Sequence, residues 1–178
     1  MERYVAFLRG MNLGKRRIKN EELRAEFETL GFEDVATFRA SGNVIFGASE
    51  QGESALTKTI EHGLGDALGY EVPVFLRSCA EVAAIAAQES FAAKRVEASK
   101  GKLQVTMLAR EPTAAARKEV LALATPEDGL AIEGRELFWL PSGGTIESGL
   151  DLKAIEKALG KGTQRTMGTI EQIAAKHC

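Results

Sequence analysis

Short apolar runs alternate with segments of helical period along the first half of the chain. Strands are predicted at residues 4–8, 35–39, 44–46 and 72–76. Helices are predicted from Leu23, Phe27 and Leu30, with Asn20 as N-cap and Gly31 as stop, and from Leu56, Ile60, Leu64 and Leu68, with Gly69 as stop. The resulting order of strand, helix, strand, strand, helix, strand is the split βαβ pattern of ferredoxin-like folds.

The same order of elements is predicted a second time in the other half of the chain. Strands are predicted at residues 103–108, 130–132, 137–140 and 163–166. Helices are predicted at residues 114–124 and 152–159, followed by a last helix that carries Ile170 and Ile173. The halves share no apparent sequence identity, so the repeat is one of element order alone.

Residues 78–102 separate these two halves. Ser78 and Glu81 have the spacing of a capping box, which predicts a linking helix through Val82 and Ile85. Residues 92–102 lack an apolar period and are predicted to form an exposed linker. We therefore expect an α+β fold of two ferredoxin-like lobes packed together, since each lobe alone would have a marginal core. The predicted boundaries are 1–78, 79–102 and 103–178, with the C-terminal helix in the second lobe.

Composition narrows the class of protein. The chain has 178 residues, 44% of them hydrophobic, and a formal net charge of -2. Its apolar runs are far shorter than the roughly 20 residues that cross a bilayer, and Met1 leads into a strand without the apolar segment of a signal peptide. These features predict a cytoplasmic protein without a membrane partner. Cys79 and Cys178 are too few for a disulfide framework, and both are expected to be free thiols.

Positive charge is concentrated directly after the first strand. Residues 1–19 contain six cations and one carboxylate, whereas residues 20–38 contain six carboxylates and one cation. Glycines within the first of these segments can turn backbone amides towards an oxyanion, and arginine or lysine can add charge-assisted hydrogen bonds. The spacing differs from that of a Walker phosphate loop, and Arg16 stands where a magnesium-binding hydroxyl is required. The pattern indicates an anion site of another kind.

A second polar segment is predicted to lie beside this loop. In a ferredoxin-like sheet the first and third strands are antiparallel neighbours, so the end of one meets the start of the other. This places Arg9 and Gly10 near the reversal at residues 41–43. A glycine-rich segment near Arg165 has similar chemistry in the other lobe. The predicted ligand-binding residues are Arg9, Gly10, Asn12, Gly14, Lys15, Ser41, Gly42, Asn43 and Arg165.

Three functions remain open from these residues. The first is binding of a small anionic or phosphate-bearing ligand. The second is nucleic-acid binding, in which the phosphate contacts are Lys15, Arg16, Arg17 and Lys19. The third is a partner-binding scaffold without ligand chemistry. An RNA-binding sheet is disfavoured, because apolar residues on both sides of the first strand predict a sheet covered on both faces.

Candidate catalytic chemistry is sparse. The two histidines, His62 and His177, form no recognisable Ser-His-acid set, and no paired-histidine, Cys-x-x-Cys or calcium-loop spacing occurs. The sequence therefore predicts neither a metal site nor a cofactor. It leaves open whether the protein is an enzyme, and it defines no oligomeric state.

Several segments resemble a known family. These are YVAFLRGMNLG at residues 4–14, LR at 23–24, LGF at 30–32, VATF at 35–38 and SGNVIF at 41–46. The chain is similar in them to the bacterial family known as domain of unknown function 1697. Met11 and Leu13 are conservative changes in its Arg-Gly-Ile-Asn-Val-Gly run, whereas Lys15, Ala40 and Thr166 depart from its common pattern. The resemblance implies a two-lobed α+β protein and brings no activity, substrate or cofactor.

Overall fold

A computed structural model describes residues 1–40, 42–49 and 51–178. The chain divides into two compact units. The first comprises Met1–Ala83 together with Ile173–Cys178, and the second comprises Ala84–Gln172. Each unit contains a four-stranded antiparallel sheet with helices. The α+β class and the two ferredoxin-like units predicted from the sequence are thus confirmed.

The first unit has the element order of a ferredoxin-like fold. Its elements are β1 (Glu2–Leu8), α1 (Asn20–Thr29), β2 (Glu33–Thr37), β3 (Asn43–Ala48), α2 (Glu53–Leu68) and β4 (Val74–Ser78). The strand order across the sheet is β2-β3-β1-β4. Because β1 and β3 are antiparallel, Phe7 at the end of β1 pairs with Asn43 at the start of β3. The predicted neighbourhood of these strand ends is confirmed.

Both faces of the first sheet are buried. Tyr4, Ala6 and Leu8 of β1 belong to a core that also contains Phe27 of α1 and Leu64 of α2. Successive strand residues point to opposite faces, and the intervening Val5 and Phe7 are also fully buried. The continuous apolar run of β1 is therefore typical of a strand covered on both sides. This sheet offers no open aromatic platform of the kind that stacks RNA bases.

The second unit repeats the strand order with smaller helices. Its elements are α4 (Ala93–Ala98), β5 (Gln104–Leu108), α5 (Ala114–Leu121), β6 (Gly129–Glu133), β7 (Glu136–Leu140), α6 (Leu152–Leu159) and β8 (Gly162–Thr166). The sheet order is β6-β7-β5-β8. Two further helices cross the boundary between the units, α3 (Cys79–Ala86) and α7 (Met167–His177).

Local signals set several helix ends. At α3 the Ser78 hydroxyl accepts a hydrogen bond from the Glu81 amide (3.2 Å), and the Glu81 carboxylate accepts one from the Ser78 amide (2.8 Å). The predicted capping box is confirmed. At α1 the N-cap is Lys19 rather than Asn20. The Glu22 carboxylate accepts from the Lys19 amide at 2.8 Å, so a carboxylate three residues on moves the start of the helix by one residue.

The structure adds a helix in the middle of the chain and corrects an expectation at its end. Residues 92–102 are mostly exposed but contain the helix α4, which no apolar period in the sequence indicates. The expectation of two free thiols is wrong. The two cysteines form a disulfide, with 5.1 Å between the Cα atoms of Cys79 and Cys178. Spacing along the sequence could not reveal this pairing, because the fold joins residues that are 99 positions apart.

No helix among the described residues is long and apolar enough to cross a membrane. Within the same part of the chain, no group of three or more histidine, cysteine, aspartate or glutamate side chains is arranged to hold a metal ion.

Candidate functional site

The candidate site is the connection between β1 and α1, residues 9–19, which we call the cationic loop. Left-handed backbone conformations at Gly10 (φ 76°), Asn12 (φ 58°) and Gly14 (φ 58°) bend it. Glycine adopts this conformation without steric cost, and asparagine tolerates it better than most residues. The glycines of the motif are therefore required by the backbone of the loop.

The side-chain amide of Asn12 holds the cationic loop through both its nitrogen and its oxygen. The amide nitrogen donates to the carbonyl of Ala40 at 2.7 Å, and the amide oxygen accepts from the backbone N–H of Ile18 at 3.0 Å. The guanidinium of Arg17 in turn donates to the carbonyl of Asn12. One side chain thus joins the start of the loop, its end and the turn between β2 and β3.

The β2–β3 turn packs closely against the end of β1. The amide of Leu8 donates to the carbonyl of Gly42 at 2.8 Å. Gly42 has a φ of 76°, and a Cβ there would lie 2.9 Å from Met11 Cγ and 3.0 Å from Leu8 Cβ. Only glycine fits this approach, so Gly42 brings the turn and the cationic loop together. The predicted Ser41 lies outside the described residues.

The side chain of Asn43 is buried within the β2–β3 hairpin, whereas a ligand-binding group is expected to be accessible. Its side chain is completely buried and donates to the carbonyl of Phe38 at 2.8 Å, while the amide of Phe38 donates to the carbonyl of Asn43 at 3.0 Å. Asn43 therefore closes the β2–β3 hairpin from inside. Arg39 follows Phe38 with a φ of 59°, a conformation that is uncommon for a residue with a long side chain.

The cations of the loop differ in how they are held. Lys15, Arg16, Arg17 and Lys19 are exposed, whereas Arg9 is half-buried and its amide donates to the carbonyl of Pro73 at 3.0 Å. The guanidinium of Arg16 lies 4.3 Å from the ring centre of Tyr70, which is a cation–π distance. Sequence reasoning missed Tyr70, since nothing in its neighbourhood along the chain relates it to residue 16.

Arg165 belongs to the second unit. It lies on β8, where its guanidinium donates to Thr163 Oγ1 at 2.7 Å and to the carbonyl of Gln164 at 2.9 Å. Burial lowers the pKa of Arg165 to about 10, which leaves the side chain charged at neutral pH. These contacts support β8 from within, and the participation of Arg165 in a ligand site stays a prediction.

A cavity of about 460 Å³ also lies in the first unit, between α2 and the start of β4. Its lining includes Lys58, Glu61, His62, Glu71 and Pro73. The Glu61 carboxylate accepts from the amide of Val74 at 3.0 Å. Two carboxylates in the wall make this cavity less suited to an anion than the cationic loop, whose five charged side chains are all positive.

Comparison with known proteins now identifies the family. The family described as "Protein of unknown function (DUF1697)" matches residues 1–138. The chain belongs to this family, so the resemblance stated from its sequence motifs is confirmed. A search among curated proteins found no match.

One solved structure has a similar fold. It is described as the structure of conserved bacterial protein SP0830 from Streptococcus pneumoniae. The match has a TM-score of 0.77 at 22% sequence identity and covers 98% of this chain and 97% of that one. At this identity the likeness concerns the fold alone.

Proposed function

We propose that this member of the DUF1697 family binds a small anionic, phosphate-bearing ligand at the cationic loop. The observation that carries the proposal is the double hydrogen bonding of Asn12, to Ala40 and to Ile18. A loop whose conformation is already set loses less conformational entropy when it binds than a slack one does. The exposed cations at residues 15–17 therefore belong to a loop whose backbone is already ordered before a ligand binds.

The charges and the backbone of the loop favour the same class of ligand. Arginine offers a planar fork of donors to phosphate or carboxylate, and lysine offers a mobile point charge. The left-handed bends at Gly10 and Gly14 leave open space where a Cβ would stand, so a ligand oxygen can approach the backbone amides. We assign the ligand contacts to Lys15, Arg17 and the amides of the bends, and Asn12 and Gly42 to the support of the loop.

The proposal is tested by calorimetry and thermal unfolding with inorganic phosphate, pyrophosphate, ATP and citrate. At least one phosphate compound should raise the melting temperature, because a ligand at 100 times its Kd stabilises a protein by about 2.7 kcal/mol. The variant Lys15→Gln/Arg17→Gln should bind at least tenfold more weakly. The matched control Lys153→Gln/Lys157→Gln removes two exposed charges from α6 of the second unit and should bind as the wild type does.

Two results would contradict the proposal. One is an unchanged melting temperature with every anion, which would favour a partner-binding scaffold. The other is binding of oligonucleotides of many sequences with an affinity that falls steeply and log-linearly with salt, which is the signature of phosphate-backbone contacts. In that case the nucleic-acid alternative, with Lys15, Arg16, Arg17 and Lys19 as contacts, replaces it.

A further inference from the structure

The disulfide joins the start of α3 to the residue that follows α7. Cys79 is the first residue of α3, and Cys178 follows His177, the last residue of α7; both cysteines lie within the first unit. Cys79 is half-buried, whereas Cys178 is exposed. The bond therefore joins an exposed residue to a half-buried one, and we expect an external thiol to react first at Cys178.

Several non-covalent contacts also hold Lys176, His177 and Cys178. The amide of Cys178 donates to the carbonyl of Ala174 at 3.3 Å and so continues the helical bonding of α7. The Arg3 guanidinium donates to the carbonyl of His177 at 3.3 Å, and the Cys79 sulfur lies 3.8 Å from that same oxygen. The His177 ring meets the edge of Phe38 with centroids 6.0 Å apart, and Lys176 Nζ lies 5.4 Å from the Phe38 centroid. The disulfide adds a covalent link to these contacts, so its reduction should loosen Lys176 and His177 from Phe38.

We propose that Cys79 and Cys178 form a thiol–disulfide exchange site whose substrates are external dithiols and disulfides. In the reduced form Lys176 and His177 leave Phe38, and in the oxidised form they are held there. Disulfides of cytoplasmic proteins are in general transient and catalytic or redox-sensing, so an exchangeable bond reconciles this pairing with the location that the sequence predicts. The site stands independently of ligand binding at the cationic loop.

The exchange proceeds in two balanced steps. A thiolate of the external dithiol attacks the sulfur of Cys178, a mixed disulfide forms there, and Cys79 leaves as a thiolate. The second thiol of the reductant then displaces Cys178, so that the reductant becomes a disulfide and two electrons and two protons reside on the cysteine pair. The Arg3 charge favours the departing thiolate, while the Glu81 carboxylate at the start of α3 opposes it. An external disulfide reverses both steps.

Phe38 connects this exchange to the candidate site. Its carbonyl accepts from the buried Asn43 side chain, and the next residues, Arg39 and Ala40, lead to the carbonyl that Asn12 binds. Release of Lys176 and His177 removes two contacts from the base of the β2–β3 turn. We therefore expect amide hydrogen exchange at residues 38–40 to be faster in the reduced protein.

The first test is reduction of the native protein by dithiothreitol without denaturant, followed by alkylation with iodoacetamide and mass measurement. Both cysteines should become alkylated while the near-ultraviolet circular dichroism of the fold persists. In single variants, Cys178 in Cys79→Ser should form a mixed disulfide with glutathione at least tenfold faster than Cys79 in Cys178→Ser, because only Cys178 is exposed. Equal rates, or reduction only in denaturant, would overturn the proposal.

The second test follows Lys176 and His177 themselves. Their amide hydrogen exchange should be at least tenfold faster in the reduced than in the oxidised protein. The variant Cys79→Ser/Cys178→Ser should behave as the reduced form whether or not reductant is present. Equally slow exchange at these two amides in both redox states contradicts the proposal, as does failure of oxidised glutathione to form the bond in the folded protein.

Discussion

The two units have the same sheet topology, and each contains an equivalent backbone hydrogen bond. At the end of its first strand, each unit has a leucine amide that donates to the turn before its third strand, Leu8 to Gly42 at 2.8 Å and Leu108 to Arg135 at 2.9 Å. The strand orders correspond as well. Two sequences without apparent identity therefore place the same two turns side by side, since the antiparallel pairing of the first and third strands requires it.

The units differ in what is inserted at this shared place. In the first, the connection after β1 runs through residues 9–19 and carries five cations without a carboxylate, whereas the connection after β5 runs through residues 109–113, where Arg110 is followed by Glu111. The Gly42 position, closed to any side chain, is occupied by Arg135 in the second unit. The shared fold therefore sets where the connection after the first strand lies, and the residues of that connection set its charge.

Gly42→Ala should have the largest effect on the free energy of unfolding among the variants considered. A Cβ would combine a left-handed backbone with contacts of 2.9 Å to Met11 and 3.0 Å to Leu8. We expect a loss of about 2–4 kcal/mol in the free energy of unfolding, measured by urea denaturation. Arg135→Ala, at the corresponding position of the second unit, keeps the Cβ that is already present there and should lose less stability than Gly42→Ala. Equal losses would show that the two turns are not differently constrained.

Asp128→Ala tests which hydrogen bonds stabilise the second unit. Its buried carboxylate accepts from Trp139 Nε1 at 2.8 Å and from Ser148 Oγ at 2.9 Å. The variant leaves the indole N–H without a partner, so we expect a loss of about 2–3 kcal/mol. Ser148→Ala removes one of the two bonds and should cost about 1 kcal/mol. Because Trp139 is the single tryptophan, its fluorescence reports on this unit directly.

Asn12→Ala tests whether the cationic loop is organised in the way its hydrogen bonds indicate. Loss of the bonds to Ala40 and Ile18 should cost about 1–2 kcal/mol and should speed hydrogen exchange at Ile18. Asn12→Gly is the control, because glycine keeps the left-handed backbone and still lacks both bonds. If the glycine variant retains wild-type exchange at Ile18, the backbone conformation and not the side chain organises the loop.

The smallest expected effect is electrostatic and concerns His177. Burial, followed by the charges of Arg3 and Lys176, lowers the pKa of His177 below its usual value of 6.5. The neutral imidazole is therefore favoured in the folded state, and its contribution to stability decreases as the pH falls from 6.5 towards the lowered pKa. Lys176→Gln should raise the titration midpoint of the His177 ring in nuclear magnetic resonance. An unchanged or lower midpoint would mean that Lys176 does not act on it.

The secondary structure was largely predictable because local patterns carry it. The apolar periods of β1 and α2 and the capping box at α3 depend on neighbours a few residues apart. The predicted start of α1 was wrong by one residue because the Glu22 carboxylate binds the Lys19 amide. Helix α4 was not predicted because it has no apolar period. The positions of Arg9, Gly10 and Gly42 beside one another followed from strand order alone.

Hydrophobic period and neighbouring residues alone encode the repeated order of elements, the position of the cationic loop and the need for glycine at its bends. The contacts of Asn12 with Ala40, of Arg16 with Tyr70 and of Cys79 with Cys178 arise only once the chain is folded. Contacts between residues far apart in the chain depend on how the packed elements meet, and no local pattern encodes those distances.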